Sequence, residues 1–252
     1  MGKSKKTIPK NQEFQKNHTE RKFTMKFAMS YSCGKDSTLA LHKAVASGHT
    51  PVALIVMVNK EVRRSFFHGA DSDMLKQYSK ALEIPLISAA SGGENYHLEM
   101  EKALAKAKEM GAEAACFGDI DLEQNRAWSE ERCRNTGLKA MFPLWHAGRE
   151  ENVHELISLG YKCMIKSINN TLLPKSLLGR IIDEEVLRQM AECGIDLCGE
   201  NGEYHTLTVD GPVFRTPLHF ETGEILDFGD YSAADIFIPQ KKFTASGKEI
   251  NL

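Results

Sequence analysis

The six cysteines of this 252-residue chain (Cys33, Cys116, Cys133, Cys163, Cys193 and Cys198) form no CxxC pair. The nearest two, Cys193 and Cys198, have the wrong spacing for a zinc ribbon and no second pair to complete one, which argues against structural zinc and against a disulfide frame. Cys116 and Cys163 fall inside apolar, strand-like runs, where reduced thiols serve as small hydrophobes. No stretch approaches the roughly 18 consecutive apolar residues of a membrane span, and the N-terminus lacks the apolar core of a secretory signal. No membrane partner is therefore expected, and the expected location is cytoplasmic. Net formal charge is only −2, yet residues 1–24 hold seven basic and two acidic residues, a surplus of five that leaves about −7 on the remainder. An acidic body disfavours a broad nucleic-acid surface. The basic segment reads as a disordered, solvated extension, because it has too little apolar content to offset the entropy of ordering; RNA or an acidic partner is the contact its charge would suit.

What the chain does have is apolar material for one large or two small cores, at 42% hydrophobic residues. From Met25 short apolar runs alternate with amphipathic stretches. "KFAMSY" predicts a first strand and "STLALHKAVASG" a helix that turns Leu39, Leu41, Ala44 and Val45 inward. "PVALIVMV" predicts a second strand, followed by a helix over 70–82, a strand over 85–89 and a helix over 94–110. "EAACFGDID" is a strand running into Gly118, Asp119 and Asp121; then come a charged helix to Thr136, an apolar "LKAMFPLW", a helix over 150–159 and the strand "YKCMIKSI". Five strands in this rhythm predict an α/β fold, a doubly wound, mainly parallel sheet over 25–168, with ligands at the carboxyl ends of its strands. After Asn169 the rhythm changes to a helix over about 180–193, a Gly- and acid-rich turn, and the strands "HTLTVDG" and "EILDF". These predict a smaller C-terminal α+β region over 169–239, with 240–252 as a frayed tail.

The link from the first strand to the first helix is "SYSCGKDS", Ser30 to Ser37. Unpaired amides at a helix N-terminus, a glycine that admits an oxygen closely and flanking hydroxyls are what a phosphate needs. Asp36 or Ser37 simply capping the helix is the plainer alternative. Asp36 separates Gly34-Lys35 from Ser37, so the stretch is not a Walker A loop. It resembles instead the SGGxDS signature of the PP-loop ATP pyrophosphatases, with Cys33 in the place of the first glycine. A second segment, "CGENGEYHTLTVDGPVF" from Cys198 to Phe214, places Glu200 and Glu203 on a tight turn before Tyr204 and His205; a solvated acidic turn is its plainer reading.

That second segment resembles the CGExGEY signature of the diphthine-ammonia ligase family, a branch of the PP-loop enzymes. "GDID", "GLKAMFPLW" and "LLGRIID" follow in the family's order, so the resemblance spans about 25–213. It implies a Rossmann-like PP-loop fold and an enzyme that adenylates a carboxylate with ATP, releases pyrophosphate and transfers ammonia with release of AMP. The implied nucleotide residues are Ser30, Ser32, Cys33, Gly34, Lys35, Asp36, Ser37, Gly118 and Asp119. Lys35 neutralises charge and Asp36 holds Mg²⁺. On the acceptor side, Arg126, Arg180, Glu200, Glu203, Tyr204 and His205 are expected, with Lys35, Asp36, Glu200 and Glu203 as the catalytic set. The two acids and the Tyr204 face would meet a quaternary ammonium, and His205 would serve as base, although the arginines read equally well as structural ion pairs and the histidine as a core residue. The implied partners are ATP, ammonia from solution or from another protein, and a carboxylate acceptor such as an elongation factor bearing diphthine; homodimerisation is left open. "DLEQNRAWSEERC" lacks a tyrosine and paired arginines of the archaeal and eukaryotic ligases and looks more like bacterial relatives, in which the ATP chemistry would carry over to a different acceptor. The alternatives are a PP-loop enzyme of tRNA thiolation, which normally needs paired cysteines and a basic surface, and a non-catalytic ATP-binding module. Cys33, as the odd residue of the signature, is expected to be a small residue tolerated at negative φ rather than a nucleophile.

Overall fold

A computed structural model describes residues 24–239 and the backbone of two short strands, Lys242–Phe243 and Glu249–Ile250, which pair antiparallel. The basic N-terminal segment lies outside the described residues, Thr24 excepted, and so does most of the expected tail. No helix among the described residues is long and apolar enough to cross a membrane.

The expected βα rhythm is present. Strands β1 (Lys26–Ser30), β2 (Thr50–Asn59), β4 (Leu86–Ser91), β5 (Ala114–Cys116) and β6 (Lys139–Met141) form a parallel sheet, and the two-residue strand β3 (Arg64–Ser65) runs antiparallel at the end of β2. The parallel order is β4-β2-β1-β5-β6. Successive residues of a strand face opposite sides, and here both sides are apolar, as a sheet covered by helices requires. Phe27, Met29, Leu54 and Val56 share one core with α1 (Lys35–Ala46) and α2 (Ser72–Leu82). Ala28, Ile55 and Met57 share the other with α3 (Tyr96–Glu109) and α4 (Glu123–Thr136). The chain leaves β1 for β2 on one side and later returns to β5 on the other. The carboxyl ends of β1 and β5 therefore flank the switch in strand order, where such sheets open a crevice.

One strand is placed differently from the sequence expectation. β7 (Lys162–Asn169), read as the fifth strand of the parallel sheet, lies inside a second, antiparallel sheet of order β8-β7-β10-β9, with β8 spanning Tyr204–Asp210, β9 Glu221–Asp227 and β10 Tyr231–Phe237. The fifth parallel strand is β6, from the stretch "LKAMFPLW". A fully buried apolar run looks the same in either sheet, and its partners here follow it in sequence. Helix α5 (Arg149–Ser158) precedes β7, and α6 (Glu184–Glu192) follows it, capped by the Asp183 carboxylate accepting from the Val186 amide. Arg180 consequently falls in the segment before α6, where its carbonyl accepts from the Ile165 amide of β7.

The two sheets meet at the edge of β8. The Thr208 amide donates to the Cys33 carbonyl at 2.9 Å, and the Tyr78 hydroxyl of α2 donates to the Thr208 carbonyl at 2.8 Å. The second sheet is thereby docked on the loop between β1 and α1.

Candidate active site

β1 delivers the chain through Tyr31, Ser32, Cys33 and Gly34 into α1, with Gly34 as an extended N-cap and no side chain capping the helix. First-turn amides have no acceptor within their own helix. That of Lys35 donates to Thr206 Oγ1 at 3.0 Å; those of Asp36 and Ser37 have no protein acceptor among the described residues, and both residues line the crevice. The Ser37 hydroxyl donates to the Gly34 carbonyl at 3.1 Å and lies 3.1 Å from Ser32 Oγ, so hydroxyls hold the loop's shape. A Cβ at Gly118 would stand 2.9 Å from the Ser37 nitrogen and 3.0 Å from the Asp36 carbonyl carbon, so only glycine lets the end of β5 lie this close to the helix start. Gly34 has the same constraint from another side: a Cβ there would meet the His68 ring at 2.3 Å.

Cys33 departs from expectation in one respect. Its φ is 73°, in the left-handed region, not at a negative angle. The position therefore has a backbone conformation that favours glycine. Its side chain is fully buried, and burial pushes the thiol far above its usual range. A protonated, inaccessible thiol does not act as a nucleophile.

Lys35 is buried, with Nζ 2.7 Å from Asp36 Oδ2. Burial by itself would pull the ammonium down, but Asp36, with Cys198, Tyr204 and Glu200 behind it, outweighs burial and holds Lys35 charged. Glu200 reaches the same spot from the turn before β8. One ligand atom each from Asp36, Cys198 and Glu200 lies within 4.8 Å of the other two. Burial, followed by the Asp36 charge, raises the Glu200 carboxyl to about 7. The phosphate loop and the acidic turn, 162 residues apart at the Asp36–Cys198 contact of 3.7 Å, thus form one site.

That site opens into a cleft of about 650 Å³ lined by Ser30, Ser32, Lys35, Asp36 and Ser37 together with Glu200, Tyr204 and His205. Gly118 and Asp119 line it from the loop after β5, where burial raises the Asp119 carboxyl and the Ser129 hydroxyl, donating at 3.3 Å, partly offsets the rise. Three expected residues are engaged elsewhere. The Glu203 carboxylate is buried and accepts from the amides of Asn201 (3.0 Å) and Asp196 (3.3 Å), so it shapes the turn that carries Glu200. Arg126 pairs with Glu130 at 2.8 Å and lies over the Trp145 ring, 4.6 Å from its centroid. Arg180 donates to Gln189 at 3.0 Å.

The cleft also takes residues that no motif marked. Phe66, Phe67 and His68 follow β3 at the same edge of the sheet, Tyr96 opens α3, and Trp128 comes from α4. Their signal in the sequence was positional only: a loop after a strand's carboxyl end, at the ligand edge of a parallel sheet. Arg149, at the start of α5, ties the parts together. Its guanidinium donates twice to Asp121 (2.7 and 2.9 Å), and through Nη1 to Asp196 (2.5 Å) and Asn201 (3.2 Å), joining the "GDID" loop to the turn that holds Glu200.

Comparison with known proteins finds matches to most of the described region. The diphthamide synthase N-terminal domain matches residues 25–140, and the diphthamide synthase C-terminal domain matches residues 149–237. The human diphthine–ammonia ligase is 26% identical over 241 residues, covering 85% of this chain and 88% of that protein. The zebrafish (Danio rerio) protein of the same name is 26% identical over 232 residues, 82% of this chain and 89% of its own. The Schizosaccharomyces pombe protein of that name is 24% identical over 225 residues, 81% of this chain and 37% of a longer protein. Among solved structures, one described as a subunit of a tRNA methyltransferase from Methanocaldococcus jannaschii superposes with a TM-score of 0.42 at 14% identity, over 77% of this chain and 100% of its own. With both domain models of one family matched in order, and with the family's two signature segments meeting at Asp36 and Glu200, the chain belongs to the diphthamide synthase family.

Proposed function

We propose that this protein is an ATP-dependent ligase of diphthamide synthesis that joins ammonia to the carboxylate of diphthine on an elongation factor. The observation that carries the reading is the convergence of Lys35 and Asp36, on the phosphate side, with Glu200, on the acceptor side, in one cleft. The amides of Asp36 and Ser37 and the charged Lys35 ammonium suit the phosphates of ATP, and the Gly118 approach leaves no competing side chain over those amides. The carboxylates of Asp36 and Glu200 are hard oxygen donors suited to Mg²⁺, whereas the Cys198 thiol, raised by burial, stays protonated and is no ligand for it. Magnesium, when bound, supplies positive charge against the phosphate oxygens.

In the first step an acceptor carboxylate oxygen bonds to the α-phosphorus, and the bond to the β-phosphate oxygen breaks with release of pyrophosphate. In the second, ammonia attacks the acyl carbon, AMP leaves, and the nitrogen gives up a proton. His205 lines the cleft and is held neutral, its imidazole lowered chiefly by burial and then by Lys35, so it is the base within the site suited to take that proton. Lys35 aligns and neutralises; Glu203 and Arg149 hold the turn that presents Glu200.

The test is pyrophosphate and AMP release with ammonium and a diphthine-bearing elongation factor. Glu200→Gln is expected to lower turnover at least about 10-fold with the fold intact. Unchanged turnover in both Glu200→Ala and Glu203→Ala would rule out the two-segment site.

A further inference from the structure

Phe67 is the most exposed large apolar side chain among the described residues, at 71%, yet it lies on the cleft wall. Its φ of 66° puts a bulky residue in the left-handed region, a conformation that persists only where the surrounding structure imposes it. Arg64 helps to impose it: the guanidinium donates to the Gly69 carbonyl at 3.0 Å and closes the turn. The result is an aromatic ring held out to solvent 6.1 Å from the His205 ring, with His68 a further 5.3 Å beyond. His68 Nδ1 is committed to the Thr206 carbonyl at 2.6 Å, so this wall offers ring faces more than free donors.

We infer that Phe67, with His205 beside it, is the specificity-determining face that receives the trimethylammonium group of the acceptor. The inference rests on the ligase reading above. A quaternary ammonium has no N–H to donate and is recognised by aromatic faces and a nearby carboxylate. Phe67 presents the face, and the Glu200 carboxyl lines the same cleft. In diphthine the trimethylammonium is borne by the carbon next to the carboxyl, so its subsite must adjoin the place where that carboxyl is adenylated. The Phe67–His205 wall meets this requirement, since both rings line the same cleft as Lys35 and Glu200. Tyr204, the aromatic the sequence offered for this role, does not fit it. Its ring is only 3% exposed and already has the Lys35 ammonium 5.6 Å from its centroid, where a second cation would be repelled.

The experiment compares wild type, Phe67→Ala and Phe67→Tyr in steady-state turnover with the diphthine-bearing elongation factor. Phe67→Ala is expected to raise the KM for the acceptor about 10-fold, with the KM for ATP within twofold of wild type, and Phe67→Tyr to restore acceptor affinity. Equal increases in both KM values would show that the ring stacks on the nucleotide, and no increase in either would show that it contacts neither; both overturn the inference. A second measurement stands apart from turnover: saturation-transfer NMR with tetramethylammonium, and with tert-butanol as the uncharged counterpart. Transfer to tetramethylammonium that exceeds transfer to tert-butanol and disappears in Phe67→Ala supports the subsite. Transfer unchanged by the substitution, or equal for the two probes, overturns it. Absence of turnover with the wild-type protein would instead sink the ligase reading and leave the NMR comparison to decide on Phe67.

Discussion

The backbone amide of Lys35, the first residue of α1, donates to the hydroxyl of Thr206 on β8, 171 residues later and in the other sheet. A donor at a helix start that would otherwise be free for phosphate is thus spent on joining the two sheets, beside the Cys33–Thr208 backbone bond. The start of α1 is thereby aligned by the strand that carries His205.

Replacing Thr206 with valine keeps the shape and removes the acceptor. The buried Lys35 amide is then left unpaired at a cost of about 1–2 kcal/mol. Urea denaturation of Thr206→Val should show that loss, with an increased KM for ATP and recovery of both in Thr206→Ser. An unchanged KM would mean that the bond does not align the loop.

Cys33 provides a chemical test. In the native protein iodoacetamide should modify the exposed Cys193 and leave the buried Cys33 untouched, as read by peptide mass mapping. Cys33→Gly suits a φ of 73° and should retain pyrophosphate release. Complete loss of activity in a folded Cys33→Gly protein would restore the nucleophile.

Arg149→Met leaves Asp121 and Asp196 facing each other without their shared cation. Four hydrogen bonds are lost at a side chain only 26% exposed, so a destabilisation of about 2 kcal/mol is expected. Because those bonds hold the turn bearing Glu200, the KM for the acceptor should rise more than that for ATP. Arg149→Lys keeps the charge and loses the fork, and an intermediate effect is expected. Parallel changes in both KM values would mark Arg149 as a general stabiliser only.

His68 should leave a signature in the pH dependence of stability. Burial first, then the neighbouring His205, lowers its imidazole from the usual 6.5 to about 3, with Lys35 acting in the same direction. The unfolded chain therefore binds one proton more than the folded one between about pH 6.5 and 3. Stability present above that range is lost as pH falls through it, with a slope of up to about 1.4 kcal/mol per pH unit. His68→Gln should flatten the fall in urea midpoints between pH 7 and 5, leaving the smaller contribution of His205. Parallel pH profiles for the two proteins would refute the assignment.

The parallel sheet and the strand-to-helix turn after β1 were legible because periodicity and turn chemistry are local properties. Gly34, Lys35, Asp36 and Ser37 stand within one eight-residue stretch. The sheet to which β7 belongs was not legible, because its apolar run is the same whichever neighbour it pairs with. β10 escaped notice for a related reason: its buried face is Ser232, Ala234 and Ile236, and the first two are small residues with weak strand preference. Glu200 and Glu203 could not be told apart on one turn; only the fold sends one carboxylate into the cleft and the other to the amides of Asn201 and Asp196. The loop "SFFHG" carries no motif, and its part in the cleft follows from where β2 and β3 end.

The docking of β8 on the phosphate loop also has a bearing on solubility. β8 is the outer strand of its sheet, and an outer strand with open backbone groups invites pairing with another chain. Here Cys33 takes the Thr208 amide, Tyr78 the Thr208 carbonyl and His68 the Thr206 carbonyl. The contacts that dock β8 on the β1–α1 loop therefore also act as a guard against edge-to-edge aggregation, and a substitution that loosens the loop uncovers a template for misassembly.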